Sequence, residues 1–284
     1  EYEKILKEKN IVFSSANSIN FGRLVPQITY YFSAYCDMVN AGEIELGDKV
    51  NFAVPTGNFG NILAGYYAKQ MGLPINKLVC ASNSNNVLTE FFANGTYDSK
   101  REFYKTTSPS MDILVSSNLE RLIFELNGRD AFVTAKQMQE LKEKGVYQIK
   151  EEQLEVLDRE FFADFADEEE VMQTIADFFE EYGYVLDTHT AVGINVEEKF
   201  KGFYEDAGKT IVLSTASPYK FPQSVLKALT GKGVGDAFDA SKKLENLTGM
   251  PMPEGLKTLR NKEKRFNTEI DRNKTKEAVD EFIG

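Results

Sequence analysis

Residues 50–82 read VNFAVPTGNFGNILAGYYAKQMGLPINKLVCAS, and their pattern indicates the fold class. Two of its segments, 50–54 and 78–82, are short and apolar, and each predicts a buried strand. Between them, residues 62–73 predict a helix that ends at a glycine and a proline. A strand, loop, helix and strand in this order predict a parallel sheet with right-handed connections and ligand sites at the carboxyl ends of its strands.

The whole chain has the composition of an ordinary globular protein, with 284 residues of which 42% are hydrophobic and 27% charged. Its length suits one large α/β domain or two smaller ones, and no apolar run approaches the roughly 20 residues of a transmembrane helix. The formal net charge of −11 argues against nucleic acid as a partner, because a phosphate backbone requires a basic face. We therefore expect neither a nucleic-acid nor a membrane partner.

The two cysteines, Cys36 and Cys80, lie outside any CxxC motif and have no histidine cluster nearby. This arrangement favours neither a zinc site nor a disulfide framework, so we expect no metal and a reducing, cytoplasmic compartment. Cys80 lies within the apolar run 78–82 and is predicted to be a small buried residue.

The pattern on either side of the central unit extends the α/β prediction. Residues 11–15 predict another strand, and residues 24–39 predict a helix with Pro26 in its first turn. Residues 120–182 are amphipathic throughout and predict successive helices. The alternation returns at 210–229, which predicts a strand, a polar loop and a helix.

These segments predict an α/β fold whose parallel-sheet, three-layer core is interrupted by a helical insertion. The expected parts are an α/β part at 1–119 that contains the central unit, the insertion at 120–183, the continuation of the core at 184–230, and a tail at 231–284 that packs on the core. The tail is charged and predicted to be loop-like until a short final helix.

The loop TGNFGN, residues 56–61, connects the first strand of the central unit to its helix. A helix N-terminus presents backbone N–H groups without intrahelical partners, and its dipole favours an anion such as phosphate. Gly57 and Gly60 allow close approach of the backbone and positive φ, and Thr56, Asn58 and Asn61 can cap or donate. A tight turn before a well-capped helix has the same pattern, and the loop is neither a Walker A loop nor a dinucleotide GxGxxG.

A polar segment also follows the strand predicted at 11–15. It contains Asn17, Ser18, Asn20 and Arg23, and polar loops at strand ends often carry binding groups. Arg23 is a candidate for holding a carboxylate or phosphate through two hydrogen bonds. A surface salt bridge explains the same arginine.

His189, the single histidine, is flanked by Asp187 and two threonines. A general acid or base and a hydrogen-bonded turn histidine both fit this context. No serine or cysteine lies in a recognised nucleophile turn, so we predict no hydrolytic triad. Ser214 or Thr215 can bind a ring nitrogen of a ligand or cap the helix that follows.

Six separate stretches of the chain resemble threonine synthases and occur in the order of that family. They are SSANSINFGRLVPQ (14–27), VPTGNFGNILAGYYAKQMGLP (54–74), ASNSNNVLTEFF (81–92), PSMDIL (109–114), DTHTAVG (187–193) and STASPYKF (214–221). Threonine synthases are pyridoxal-phosphate enzymes of the tryptophan-synthase-β type, fold type II, and convert O-phosphohomoserine and water to threonine and phosphate. The resemblance implies this fold, cofactor and substrate for residues 11–225.

The resemblance also implies roles for individual residues. The loop that cradles the cofactor phosphate corresponds to Thr56, Gly57, Asn58, Phe59, Gly60 and Asn61, and the residue that faces the pyridine nitrogen corresponds to Thr215. The side chains expected at the substrate side of the cleft are Asn17, Ser18, Asn20, Arg23, His189 and Lys220. Among them, Arg23 is the expected anchor for the substrate phosphate or carboxylate.

The sequence departs from the family at its catalytic lysine. In threonine synthases the lysine that forms the Schiff base lies in an FKD-like segment that precedes a TSGDTG-like loop, and this sequence contains neither. Lys4, Lys7 and Lys9 belong to a charged helix, while Lys49 and Lys69 flank the loop without that context. We therefore expect the carboxyl-terminal portion of such an enzyme, inactive alone, with the missing amino-terminal domain of the same protein as its partner.

Two other interpretations stay open at the level of sequence. The chain is also compatible with another fold type II enzyme, such as a threonine or serine dehydratase. A non-catalytic relic that binds phosphorylated metabolites through residues 56–61 is the third possibility, and the missing lysine favours it.

Overall fold

The computed structural model describes residues 2–12, 14, 17–233, 235–265 and 267–283. The chain divides into two compact units, a larger one at 17–252 and a smaller one formed by 1–16 and 253–284. Within the described residues, no helix is both long and apolar enough to span a membrane, and no group of metal-ligating side chains is assembled.

The secondary structure alternates helices and strands through most of the larger unit. The helices are α1 (Glu3–Glu8), α2 (Phe21–Asn40), α3 (Gly60–Gln70), α4 (Val87–Asn94), α5 (Leu119–Leu126), α6 (Ala131–Lys144), α7 (Glu151–Glu160), α8 (Glu168–Tyr182), α9 (Thr188–Phe203), α10 (Pro222–Thr230), α11 (Ala237–Thr248), α12 (Glu254–Lys257) and α13 (Thr275–Ile283). The strands are β1 (Val50–Pro55), β2 (Ile75–Ser82), β3 (Thr96–Asp98), β4 (Val146–Gln148), β5 (Phe161–Phe165) and β6 (Thr210–Val212). Short 3₁₀ helices occupy Pro109–Met111, Pro218–Lys220, Leu259–Asn261 and Arg272–Lys274.

A four-stranded parallel sheet, in the order β5-β2-β1-β6, lies at the centre of the larger unit. Phe52 of β1 pairs with Leu78 of β2, and Ala53 pairs with Val212 of β6. Every residue of β1 is buried, which explains why its sequence is a continuous apolar run rather than an alternating one. The predicted α/β class with a parallel sheet is confirmed.

Helices cover both faces of this sheet. The Tyr31 ring of α2 packs on Phe52, with 4.8 Å between ring centroids. Pro55 lies three positions further along β1 and therefore faces the opposite side. There it meets α9, since a Cβ added at Gly193 would lie 3.1 Å from Pro55 Cγ. This arrangement of helix, sheet and helix is the predicted three-layer core.

The prediction of helix throughout 120–182 is wrong at two places. Residues 146–148 form β4, which pairs antiparallel with β3, and residues 161–165 form β5, an edge strand of the main sheet. β5 gains its backbone hydrogen bonds from β2, a partner about 80 residues away in the chain, which no local periodicity reveals. The expected insertion at 120–183 therefore contributes a strand to the core, and its limits as a domain stay a prediction.

The start of the chain also differs from the prediction. Ile11, Val12 and Ser14 have no regular structure, and the remainder of the strand predicted at 11–15 falls on residues 13 and 15, outside those that the structure describes. α2 begins at Phe21 because the Asn20 side chain accepts a hydrogen bond from Gly22 N at 3.0 Å. Pro26 consequently lies in the second turn of the helix rather than the first.

The tail predicted to be loop-like contains two further helices, α11 and α12. α11 is capped by Asp236, whose carboxylate accepts hydrogen bonds from the N–H groups of Phe238 and Asp239. The predicted final helix is present as α13. The packing of the whole segment 231–284 on the core stays a prediction.

Candidate functional site

Polar segments follow three neighbouring strands of the main sheet. The loop 56–61 follows β1, Asn83 follows β2, and Thr215 follows β6. Because the strands are parallel, these segments leave the sheet at the same edge, which is where α/β proteins bind their ligands.

The loop 56–61 presents a row of backbone donors. In the part of the chain that the structure describes, no hydrogen bond uses the N–H group of residues 57–61 as its donor. The loop is fixed at its start, where Thr56 N donates to Ala81 O at 2.8 Å and Thr56 Oγ1 donates to Val54 O at 2.6 Å. Free N–H groups at the N-terminus of α3 form a site suited to a phosphate.

Close packing explains the two glycines of this loop. A Cβ at Gly57 would lie 2.9 Å from the backbone oxygen of Ser110, and a Cβ at Gly60 would lie 2.8 Å from Ser18 Oγ. Between them, Phe59 adopts the left-handed conformation with φ 65° and ψ 3°. A bulky residue at positive φ is uncommon and is typical of a conformation that its surroundings impose.

The segment 116–118, which was not predicted to be part of the site, donates hydrogen bonds to carbonyl oxygens of the loop. Ser116 Oγ donates to Gly57 O at 2.9 Å. The backbone N and the side-chain Nδ2 of Asn118 both donate to Asn58 O, at 3.1 and 2.9 Å. Two serines and an asparagine before an amphipathic helix were a detectable signal, but one equally typical of an ordinary helix cap.

The predicted substrate segment contacts the loop through Ser18. Asn118 Nδ2 donates to Ser18 Oγ at 3.0 Å, so this hydroxyl lies beside Gly60. Asn17 is engaged in its own turn, with Oδ1 accepting from Ile19 N at 3.2 Å. The structure therefore brings residues 17–20 and the loop 56–61 together, although they are far apart in sequence.

Arg23 lies in the first turn of α2 with its side chain exposed. Its guanidinium makes no ion pair or hydrogen bond with the residues that the structure describes. Its backbone N donates to Asn20 O at 2.9 Å, and its backbone oxygen accepts from Gln27 Nε2 at 2.7 Å. The surface salt bridge considered from the sequence is not formed, and the charge is free to meet an anion.

His189 is buried, with 3% of its surface exposed, and both ring nitrogens have partners. Nε2 accepts a hydrogen bond from Ser110 N at 3.2 Å, which places the ring proton on Nδ1. Nδ1 lies 3.4 Å from Asp187 Oδ1 and 3.3 Å from Thr188 Oγ1. His189 thus holds the 109–111 turn, which itself lies against Gly57, and presents no free nitrogen to a substrate.

Asp187 is the N-cap of α9. Its carboxylate accepts hydrogen bonds from the N–H groups of His189 and Thr190, and also from the Thr190 hydroxyl. Burial alone would raise the pKa of Asp187, but the hydrogen bonds from His189 and Thr190 outweigh it and hold the pKa below its usual value. The carboxylate is therefore charged in the folded protein.

Ser214 and Thr215, which follow β6, are exposed. Thr215 has no hydrogen bond to any part of the chain that the structure covers, so its hydroxyl is available to a ligand. Lys220 places its ammonium 5.4 Å from the centre of the Phe221 ring, and that ring lies 5.1 Å from the His189 ring. A cleft of 520 Å³ adjoins Ser214 and reaches Asp187.

A second polar cluster that sequence reasoning missed fixes the segment before the 109–111 turn. Asp112 accepts hydrogen bonds from Asn83 Nδ2 at 2.8 Å and Asn85 Nδ2 at 3.1 Å. It also accepts from Thr106 through both the backbone N–H and the hydroxyl. The end of β2 is connected in this way to the turn that faces Gly57.

Cys80 of β2 is buried as predicted, and burial raises the pKa of its thiol to about 12.

Comparison with known proteins gives one consistent result. A family model described as "Threonine synthase, C-terminal" matches residues 190–283. "Threonine synthase-like 1" of Homo sapiens is 42% identical over 230 residues, which cover 81% of this chain and 31% of that protein. Threonine synthase of Saccharomyces cerevisiae is 40% identical over 231 residues, which cover 76% of this chain and 44% of that protein.

Solved structures of threonine synthases match nearly all of the chain. The pyridoxal-phosphate-bound enzyme from Brucella melitensis has a TM-score of 0.81 at 36% identity and covers 99% of this chain. The yeast enzyme has a TM-score of 0.81 at 35% identity and covers 98% of it. This chain covers only 54% and 57% of those two chains and spans less than half of the two curated relatives above.

Proposed function

Because this chain is homologous to part of the threonine synthases, we propose that it is the carboxyl-terminal portion of a pyridoxal-phosphate lyase of threonine biosynthesis. The complete enzyme would convert O-phosphohomoserine and water to threonine and phosphate in the cytoplasm. The observation that carries this proposal is the row of unpaired N–H groups at 57–61, at the position that corresponds to the family's phosphate loop.

The residues of the loop fit the phosphate group of pyridoxal phosphate. A dianion is favoured by five consecutive backbone donors and by the dipole of α3, and no carboxylate takes part in the contacts that the structure shows for the loop. When bound, the cofactor supplies an electron sink for negative charge that develops on the substrate carbons. Thr215 would donate to or accept from the pyridine nitrogen, since its hydroxyl is unused in the chain.

The substrate groups are proposed on the other side of the loop. Ser18 lies beside Gly60, and Asn17 and Asn20 fix the turn that carries it. Arg23 would bind the phosphate or carboxylate of O-phosphohomoserine, because its charge is exposed and unpaired. Lys220 adds a second positive charge near the His189 ring, whereas His189 itself would position the 109–111 turn rather than touch the substrate.

The chain alone is proposed to be inactive. None of the contacts shown for residues 56–61 involves a lysine, and the FKD-like segment is absent from the sequence. Without that lysine, the residues of this chain can bind and orient but have no group to carry the central proton transfers. The amino-terminal domain of the same protein is the partner that would supply it.

Binding of pyridoxine 5′-phosphate tests the proposed cofactor site. This compound lacks the aldehyde and therefore cannot condense with surface lysines. Calorimetric titration of the 284-residue chain should show one site, while pyridoxine without phosphate should bind at least about tenfold more weakly because the N–H row recognises the phosphate. Equal affinity for the two compounds, or no binding, would remove the basis of the proposal.

Activity assays test the reaction and the need for the partner. Phosphate release from O-phosphohomoserine is expected only when the amino-terminal domain is present. Turnover by this chain alone would show that one of its own lysines takes the role of the Schiff-base lysine. Release of 2-oxobutanoate from threonine as the main activity of the complete protein would identify a dehydratase instead.

A further inference from the structure

Three consecutive residues, 116–118, donate hydrogen bonds to oxygen atoms of Gly57 and Asn58 in the phosphate loop. Ser116 Oγ donates to Gly57 O at 2.9 Å, and Asn118 donates twice to Asn58 O, at 3.1 and 2.9 Å. Ser117 Oγ lies 3.5 Å from Asn58 Oδ1 and adds a weaker contact. We propose that this segment is a clamp whose hydrogen bonds orient the loop for phosphate, with Ser116 and Asn118 as positioning residues; this inference rests on the proposed function.

Peptide geometry connects the clamp to the phosphate donors. In a trans peptide the C=O and the following N–H point in opposite directions, and the chain contains no cis peptide among its described residues. Gly57 O belongs to the same peptide as Asn58 N–H, and Asn58 O belongs to the same peptide as Phe59 N–H. Because the clamp binds both carbonyls, both N–H groups point away from it, toward the side where an anion is expected.

The left-handed conformation of Phe59 depends on the same contacts. An aromatic residue disfavours φ 65°, so the preceding peptide tends to rotate unless something holds it. The two hydrogen bonds from Asn118 end on that peptide, at Asn58 O. Rotation would turn Phe59 N–H out of the row of donors, and the clamp opposes it.

The Asn118 side chain is itself fixed in one orientation. It is fully buried, with 0% exposure, and its Oδ1 accepts a hydrogen bond from Arg121. Since arginine can only donate, Nδ2 must face Asn58 O and Ser18 Oγ. Arg121 also donates to Ile19 O at 2.6 Å, so one guanidinium couples the clamp to the predicted substrate segment.

Affinity for pyridoxine 5′-phosphate, measured by calorimetry on the full chain, tests the clamp. Asn118→Ala should weaken binding about tenfold and Ser116→Ala about fivefold, since each removes hydrogen bonds that orient the donors without touching the ligand. Ser116→Thr keeps the hydroxyl donor and should bind within about twofold of the wild type. This rescue separates donor loss from a general effect of substitution at a buried position.

Asn51→Ala is the matched control. Asn51 is 1% exposed and donates through Nδ2 to the backbone oxygens of Ala207 and Lys209, but it lies near the amino end of β1, away from the loop. It should lower stability in urea unfolding and leave the affinity unchanged. If the wild type binds pyridoxine 5′-phosphate and both Asn118→Ala and Ser116→Ala bind it with the same affinity, the clamp is overturned. The proposed function is not affected by that result.

The remaining outcomes also decide between the two proposals. A wild-type chain that does not bind overturns both. If Asn118→Ala does not fold, the Ser116→Ala and Ser116→Thr pair gives the answer, because equal affinities for these two variants contradict the clamp.

Discussion

Phe59 combines an unfavourable backbone with favourable side-chain packing. Its φ of 65° costs roughly 1–2 kcal/mol for a residue with a Cβ. Its ring is 1% exposed and packs 6.1 Å from the rings of both Phe92 and Phe161, measured between centroids. Burial of an aromatic ring contributes several kcal/mol, so the packing exceeds the strain and holds the loop in its shape.

Two truncations of Phe59 separate these effects. Phe59→Ala should lose about 3–5 kcal/mol of unfolding free energy, because it removes the packing and keeps the strain. Phe59→Gly removes both and should be more stable than Phe59→Ala by about 1 kcal/mol, although glycine normally has the opposite effect. Urea unfolding of the two variants measures the difference, and a less stable glycine variant would mean that the left-handed turn is not maintained.

The lowered pKa of Asp187 predicts a pH dependence of stability. A carboxylate whose pKa is lower in the folded than in the unfolded chain stabilises the fold above its unfolded pKa, and that contribution is lost as the pH falls through the folded value. The wild type should therefore lose stability below about pH 4 more steeply than Asp187→Asn, which has no charge at this position. Unfolding free energies of both proteins from about pH 6 to pH 3 test this, and parallel curves would contradict it.

At the scale of elements, the contact between α2 and α3 depends on a missing side chain. A Cβ at Gly65 of α3 would lie 2.6 Å from Tyr31 Cε1 and 2.9 Å from Leu78 Cδ2. The Tyr31 hydroxyl also donates to Asn61 O at 2.9 Å, so α2 supports the first turn of α3. The helix that carries the phosphate loop is thus in contact with both α2 and the sheet.

Gly65→Ala should therefore destabilise the protein by about 1–3 kcal/mol through overpacking. Gly202→Ala is the control within another helix, since its Cβ would meet no atom within 4 Å. It should stabilise the protein by about 0.5–1 kcal/mol, the usual gain of alanine over glycine in a helix. Thermal and urea unfolding compare the two, and the same sign for both variants would contradict the packing argument.

At the scale of the whole molecule, the two compact units differ in how much they bury. The larger unit contains the buried strands β1 and β2. In the smaller unit, α12 and α13 bury no residue, and α1 buries Leu6. Little buried apolar surface means little stability against local opening.

Amide hydrogen exchange should reflect this contrast. Amides of β1 and β2 should exchange at the rate set by global unfolding, whereas those of α12 and α13 should exchange at least about a hundredfold faster by local opening. Exchange followed by mass spectrometry of proteolytic peptides measures both regions in one experiment. Equal protection would show that the smaller unit is stabilised by contacts as extensive as those of the sheet.

The central unit of the fold and the position of its loop are predictable from the amino-acid sequence alone. The apolar runs of β1 and β2, the helix between them and the glycines at 57 and 60 are local patterns, and local patterns record burial and backbone geometry directly. The order of the six motifs also pointed to threonine synthases, which the comparisons confirmed.

Contacts between groups that are far apart in the chain are visible only in the folded structure. Phe161–Phe165 became a strand because β2 offers it hydrogen bonds, against a helical pattern on both sides. Asn118 donates a hydrogen bond to Asn58 O. The two ring nitrogens of His189 contact Ser110 N and Asp187 Oδ1. Hydrogen bonds between residues far apart in sequence leave no periodic trace, because they depend on how elements pack and not on the pattern within any one of them.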